Sequence, residues 1–422
     1  GSCTHATARF LSGNVKMGRL CTSILLLSYF ATSVSATQVQ MGVDVFLEHH
    51  THLTENARVG LITNPTGRTK TGITTIAALQ QHPDVNLVAL FALEHGIKAE
   101  AKAGEHVRDT QMDSLPVYSL YGSDRSLKSA LDNIDVIIYD IQDVGSRAYT
   151  YIWSLTKIIK AAGEHDKRVI VLDRPNPLGG LTVDGPITEE KWRSLVGGLY
   201  PVPRAYGLTA GELARYLNRE HLLACSLTVV PMEGYQRNTR WADIGREWIE
   251  PSTNIPSPES AITFAATGTI GALGTVHIGI GTDMPFQIAG APWINAEKTA
   301  RDLNALQLPG VEFQPIIFEP DTWLFRSKKV QAIFLHITDP IAFRPTRTEI
   351  SILAHLVATY PEFKIPKDRY DRFDQAMGTS TVREALLKGD SAREIWERWK
   401  SGLEKFYMVR EKYLLYKTRI DE

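Results

Sequence analysis

The chain has 422 residues, 43% of them hydrophobic and 22% charged, which is the balance of a soluble globular protein and more than one hydrophobic core usually serves. Its 46 Lys and Arg nearly cancel its 47 Asp and Glu, for a formal net charge of −1. That leaves no basic excess to hold a phosphate backbone, so nucleic acid is not an expected partner.

At the N-terminus Met17 and Arg19 precede an apolar run from Leu20 to Ala31, followed by Val34-Ser35-Ala36. A positive start, a short apolar stretch and small residues describe a secretory signal peptide, with cleavage expected after Ala36. The run is too short to span a bilayer comfortably, so no stable membrane anchor is expected. Of three cysteines, Cys3 and Cys21 fall in this leader, and Cys225 remains alone. Export without an internal disulfide suits a bacterial periplasm or exterior.

Strands are expected at Arg58–Thr63, Asn86–Ala92, Ile134–Asp140, Arg168–Asp173 and Ser226–Pro231, each short and almost continuously apolar. Strands covered on both faces read this way. Helices are expected between them at Ile73–Gln81, Ser126–Asn133, Tyr149–Ala162 and Thr209–Glu220, the last opened by Thr209 with Glu212 three residues on, a capping box. Strictly alternating strands and helices predict an α/β fold, a Rossmann-like doubly wound parallel sheet, over residues 37–250. Loop chemistry at residues 251–258 and a Gly-rich stretch from Gly268 to Gly281 mark a change of organisation. A strand at Val330–Ile337 and helices at Arg347–Thr359, Ser380–Lys388 and Ser391–Phe406 then predict a second, smaller α/β domain over 251–422, with residues 1–36 as leader and upstream segment.

In an open parallel sheet, ligands bind outside the carboxyl ends of the strands. Asn64-Pro65-Thr66-Gly67 follows the first strand, Glu94-His95-Gly96 the second, Asp140 to Arg147 the third, and Asp173-Arg174-Pro175-Asn176-Pro177 the fourth. Four polar clusters on one edge predict a concave polar site. Glu94 emerges from an apolar run that would favour its neutral form, as a general acid needs. Asp140 and Asp143, three positions apart, are candidates for a second catalytic carboxyl, with helix capping as the plainer alternative. Arg147 and Arg174 could each grip a carboxylate with paired hydrogen bonds, or instead join an internal ion pair. Asn176 sits in a turn stiffened by two prolines. Tyr149, Tyr151 and Trp153 are placed to stack on a sugar or to fill the core. His49, His50 and His52 lack the accompanying ligand spacing of a metal site, and Gly279-Ile280-Gly281 lacks the context of a dinucleotide loop.

Phe91-Ala92-Leu93-Glu94-His95-Gly96, the run Asp140 to Tyr151, and Val171 to Gly180 resemble the signature runs of the bacterial exo-β-N-acetylmuramidases, a family first catalogued as a domain of unknown function. The resemblance continues through Gly211-Glu212-Leu213-Ala214, Gly290-Ala291-Pro292-Trp293 and Lys412-Tyr413-Leu414-Leu415-Tyr416. It implies a Rossmann-like domain joined to a smaller C-terminal one. It also implies release of a non-reducing terminal N-acetylmuramic acid from peptidoglycan fragments without a cofactor, and a proposed catalytic role for Glu94. Asn64, His95, Tyr149, Asp173, Arg174, Asn176, Arg147 and Asn254 are then expected to contact the glycan, Asn254 standing where the family's Ser-Pro-Asn run places its Asn. Two positions depart from the family. Tyr206-Gly207-Leu208 replaces His-Gly-Met, and the Gly-rich run around His277 is one residue shorter and lacks two glutamates. Tyr206 and His277 are the expected substrate contacts at those places. The departures keep open a second reading, a non-catalytic protein that binds muropeptide or sugar in the cell envelope.

Overall fold

Successive residues of the central strands point into two different apolar layers. Val136 and Ile138 enter one, Ile137 and Tyr139 the other, and Val169/Val171 and Ile170/Leu172 divide in the same way. Because both faces are covered, the strands read as unbroken apolar runs rather than alternating ones. The computed structural model describes residues 39–93, 96–98, 110–112, 114–120 and 130–418. Within it β1 (Arg58–Thr63) lies at the middle of a seven-stranded sheet with β2 (Asn86–Ala92), β3 (Thr110–Met112), β4 (Leu115–Ser119), β5 (Val136–Asp140), β6 (Arg168–Leu172) and β9 (Ser226–Val230). The order is β3-β4-β2-β1-β5-β6-β9, parallel except for the β3–β4 hairpin.

Strand β1 pairs with β2 on one side and β5 on the other. The winding therefore reverses there, and a crevice is expected outside the carboxyl ends of β1 and β5. Helices Tyr151–Glu164 and Ala210–Glu220 cover one face, and Thr75–Gln81 covers the other. The capping box at Thr209 and Glu212 forms as read. Of the helix read at Ser126–Asn133, residues 126–129 lie outside the described residues, and Ala130 and Leu131 are helical. The leader also lies outside them. Among the described residues no helix is long and apolar enough to cross a membrane.

The second domain holds an antiparallel sheet, β10 (Ile288–Ala291), β12 (Val330–Ile337) and β11 (Val311–Phe318), in the order β10-β12-β11. Helices Pro258–Ala272, Ala296–Asn304 and Pro345–Thr359 pack against it. Its apolar residues run on without a break from one face of the large sheet, so Phe343 and Leu353 share a core with Phe91 and Trp153. The Gly-rich stretch is divided by function. Gly268 and Gly271 belong to helix Pro258–Ala272, and only Gly274, Gly279 and Gly281 take the left-handed backbone of turns. The helix read at Ser391–Phe406 is two helices, Ala392–Glu397 and Lys400–Arg410. A two-stranded piece, β7 (Val183–Asp184) with β8 (Ala205–Tyr206), sets Tyr206 beside the loop after β5.

Candidate active site

The crevice at the reversal point is closed by side chains that tie three loops together. Asn64, just beyond β1, donates from Nδ2 to the Pro251 carbonyl at 3.0 Å, and its Oδ1 accepts from Thr66. Thr66 in turn accepts from the Gln142 N–H beyond β5 at 2.9 Å. Asn64 is 5% exposed, so it braces the segment after residue 250 instead of reaching a ligand, which corrects its expected role. Beside this brace Tyr149 donates to Ser252 Oγ and Tyr151 to the Pro251 carbonyl, both at 2.8 Å.

Tyr149 faces a cleft of about 520 Å³ between the sheet edge and the second domain. Its lining is polar at Tyr149, Ser252 and Asn254 and apolar at Phe264, Phe286 and Trp323, with the Tyr149 and Phe264 rings edge to face at 5.8 Å. Its size is that of a small-ligand pocket. Asn254 lies at the wall with φ 80°, a left-handed backbone that Asn tolerates better than most residues. The structure brings Tyr149 and Asn254 to one cleft, while Tyr151 and Trp153 are core residues.

The three aspartates do not share one hollow. Asp140, fully buried, receives Arg174 Nε on Oδ1 at 2.5 Å and Arg174 Nη2 on Oδ2 at 3.1 Å, with Thr75 Oγ1 also on Oδ2 at 2.5 Å. Both oxygens are committed, so Asp140 is corrected from a catalytic candidate to an ion-pair partner. Arg174 is likewise corrected. It spends its remaining donors on Met41 Sδ and the Arg68 carbonyl, beside a separate hollow of about 180 Å³.

Asp173, also fully buried, accepts from Thr209 Oγ1 (2.6 Å), the Gly211 N–H (2.8 Å) and Tyr416 OH (2.6 Å). It organises the start of helix Ala210–Glu220 and is not free for a glycan, although burial pushes its carboxyl up to about 6. Asn176 bonds the Leu208 carbonyl and the Leu178 N–H, holding its own turn, which corrects its expected contact too.

Asp143 is different. Its Oδ2 accepts from Tyr206 OH and from the Gly145 N–H, and its buried Oδ1 has no hydrogen-bond partner. Burial raises its pKa to about 6, against the lowering effect of the bonds from Tyr206 and the backbone of Gly145 and Val144. Asp140, three residues away, is not among the causes. Gly145 has φ 78°, and a Cβ there would meet Asn176 Oδ1 at 2.0 Å, so only glycine closes this turn. Tyr206 contacts the carboxyl, not the cleft. The Tyr149 hydroxyl in the cleft feels the Asp143 charge, which adds to the raising of its own pKa by burial.

Glu94 and His95 lie outside the described residues. Their neighbours Leu93 and Gly96 follow the carboxyl end of β2 and are joined by a hydrogen bond from the Gly96 N–H to the Leu93 carbonyl at 2.9 Å. His277 is corrected: it is fully buried, its Nδ1 accepts from the Gly279 N–H at 3.0 Å, and burial pushes its imidazole pKa down. Its ring packs behind Trp323, with centroids 5.1 Å apart. The Gly-rich run meets the cleft through Ile280 instead.

Arg147 is fully buried and holds three backbone carbonyls, Pro186 (2.6 Å) and Val202 (2.7 Å) through Nη1 and Met377 (2.6 Å) through Nη2. It cannot also clasp a ligand carboxylate, which corrects its expected role. Arg147→Met leaves three buried carbonyls without donors, each costing about 1–3 kcal/mol. The expected result is a lower thermal midpoint with KM of the folded enzyme unchanged; a raised KM at unchanged midpoint would restore the ligand role.

One cleft residue had no signal in the sequence. Arg372 lies at the rim, on helix Tyr370–Met377, in a charged stretch with Lys367, Asp368, Arg369 and Asp371 that no motif sets apart.

Two family models match the chain: that of the N-terminal part of exo-β-N-acetylmuramidase NamZ at residues 59–259, and that of its C-terminal part at residues 262–416. The chain is 35% identical over 411 residues to the peptidoglycan β-N-acetylmuramidase NamZ of Bacillus subtilis (strain 168), covering 96% of this chain and 98% of that one. A crystal structure of a DUF1343 family protein from Bacteroides fragilis NCTC 9343 superposes with a TM-score of 0.85 at 38% identity, over 90% of this chain and 99% of that one. A second DUF1343 family protein of the same organism gives a TM-score of 0.73 at 28% identity, over 91% of this chain and all of its own.

Proposed function

The chain belongs to the exo-β-N-acetylmuramidase family, and from that premise we propose that it releases a non-reducing terminal N-acetylmuramic acid from peptidoglycan fragments in the cleft beside Tyr149. The observation that supports this most is Asp143: a buried carboxyl with one oxygen free, a pKa raised to about 6, and its charge felt by a tyrosine of the cleft. Perturbed carboxyls next to a concave site are the usual mark of acid–base chemistry.

Glycoside cleavage needs an acid to protonate the leaving oxygen and a second group on the other side of the sugar. Glu94 takes the first part in this reading and Asp143 the second. Asp143 is buried and does not itself line the cleft, so in this reading its charge supports the reaction from beside the site, on water or on the substrate's own acetamido group, and proton NMR of the first-formed anomer separates inversion from retention. The apolar wall of Phe264, Phe286 and Trp323 supplies a face for the pyranose ring. We place the protein outside the cytoplasm, in the periplasm or beyond, on the strength of the N-terminal pattern. A binding protein remains the second reading, favoured by the Gly-rich run presenting Ile280 rather than a carboxylate to the cleft.

The test is hydrolysis of an aryl β-glycoside of N-acetylmuramic acid, with binding but no product after long incubation supporting the second reading. Asp143 adds a pH signature. Its folded pKa lies above the ordinary 3.8, so its contribution to stability is complete below pH 3.8 and is lost as pH rises through about 6. Asp143→Asn removes the ionised form while keeping an oxygen for Tyr206. The variant is expected to melt higher than wild type at pH 7.5, with the gap closing by pH 4, and to lose activity about 100-fold or more. Wild-type activity should fall on the acid side near pH 6. An Asp143→Asn enzyme with full turnover would remove Asp143 from the reaction.

A further inference from the structure

We propose that Arg372 sets the sugar specificity of the cleft by holding the lactyl carboxylate that distinguishes N-acetylmuramic acid from N-acetylglucosamine. This rests on the assignment of the cleft as the glycan site. Among the described residues lining the cleft, Arg372 is the only one with a charged side chain. The others are aromatic, aliphatic, small, or neutral and polar. Among the described lining residues Arg372 is thus the one positive charge in an otherwise uncharged set.

The other arginines near the cleft are spent. Arg147 is bound to three carbonyls and Arg174 to Asp140. Arg204 is bound to Glu349 at 3.0 Å, Thr269 Oγ1 and the Ala376 carbonyl. Arg372 is exposed and has no ion pair or hydrogen bond among the described residues. A guanidinium with all its donors open matches a carboxylate by two parallel hydrogen bonds.

Its backbone is nevertheless fixed. Arg372 and Ala376 are four apart on one helix, hence on one face, and both line the cleft. The end of that helix is pinned to the large-sheet domain: Arg204 donates to the Ala376 carbonyl at 2.8 Å and Arg147 to the Met377 carbonyl at 2.6 Å. Within the helix Asp374 receives Arg383 at 2.7 Å, and Arg383 lies over the Tyr370 ring at 4.3 Å. Gly378 closes the helix at φ 76°, where a Cβ would meet Arg147 Nη2 at 2.6 Å. Two buried arginines thus hold the platform from which a third, unpaired one reaches the ligand. Phe264, Phe286 and Trp323 in the same lining offer the sugar's apolar face a surface to pack on, which leaves the charge to act on the substituent.

The experiment is calorimetric titration of the full chain with free N-acetylmuramic acid and free N-acetylglucosamine, alongside KM for their aryl β-glycosides. Wild type is expected to favour the muramic sugar about 10- to 100-fold, the range of a charge-assisted paired contact. Arg372→Met should erase that preference by weakening the muramic sugar alone, and Arg372→Lys should restore part of it. Added salt should shrink the wild-type preference, because the contact is at an exposed rim. The thermal midpoint should not move. A variant that keeps the wild-type preference, or that weakens both sugars alike, overturns the proposal. Sugar preference that depends on Arg372 without glycoside hydrolysis would instead fell the hydrolase reading and leave Arg372 in place.

Discussion

Replacing Glu94 with Gln is expected to lower kcat on an aryl β-N-acetylmuramide by about 10²–10⁴, the contribution of a positioned general acid. Gln keeps the shape and can still donate a hydrogen bond, but it has no proton to give to the departing oxygen. The loss should therefore shrink with leaving groups of low pKa, which depart without protonation, and KM should change little. The residue stands just past the carboxyl end of β2, whose last four residues are buried. Activity limited on the alkaline side by this group and on the acid side by Asp143 would give a bell-shaped profile. Unchanged turnover in Glu94→Gln, across leaving groups, would take Glu94 out of the mechanism.

The second large effect concerns stability. Breaking the Asp140–Arg174 pair from one side, by Asp140→Asn or Arg174→Met, should cost about 3–5 kcal/mol, because the remaining partner is left buried and uncompensated. Asp140 is fully buried and Arg174 5% exposed, so solvent cannot make good the loss. The pair closes the loop after β6 onto the end of β5, and Thr75 adds a third strap from the helix after β1. Removing both charges together, as Asp140→Leu with Arg174→Met, should recover much of the loss, since two desolvated charges are exchanged for apolar packing. Denaturant unfolding of the three variants measures this directly. Single variants as stable as wild type, with KM for the muramic glycoside raised, would return Arg174 to the substrate.

The large sheet was legible because both of its faces are covered. β1 and β2 begin and end where their apolar runs do, and β5, β6 and β9 differ from the reading by one or two terminal residues. The small sheet was legible only in β12. β11 carries Pro315 and half-exposed residues, as an edge strand can, and β10 is only four residues, Ile-Ala-Gly-Ala, with no period to read. Helix Pro258–Ala272 hid behind its glycines and threonines, since it is buried nearly all round and has no polar stripe.

The site was legible as a place and less so as a set of roles. The polar loops after β1, β5 and β6 leave the sheet at one edge, as the parallel order requires. Which way each carboxylate turns was not encoded locally. Asp140 and Asp143 are three residues apart, yet the first turns to Arg174 and the second to Tyr206, partners 34 and 63 positions away. The arginines misled for the same reason: Arg147 is claimed by carbonyls as distant as Met377, and nothing near residue 147 announces it. Arg372 carried no pattern at all, because its meaning comes from the cleft it borders.

Asp173 has a last consequence, for the order in which the molecule assembles. Its buried carboxyl is completed by the hydroxyl of Tyr416, 243 residues further along and close to the end of the chain, and that hydroxyl also takes the Met232 N–H. The first domain's own interior thus contains a part made last. The turn after β6 therefore takes its final form only once the segment around Tyr416 has docked. Long closures of this kind slow folding, and the half-assembled front domain must be kept from sticking to its neighbours while it waits.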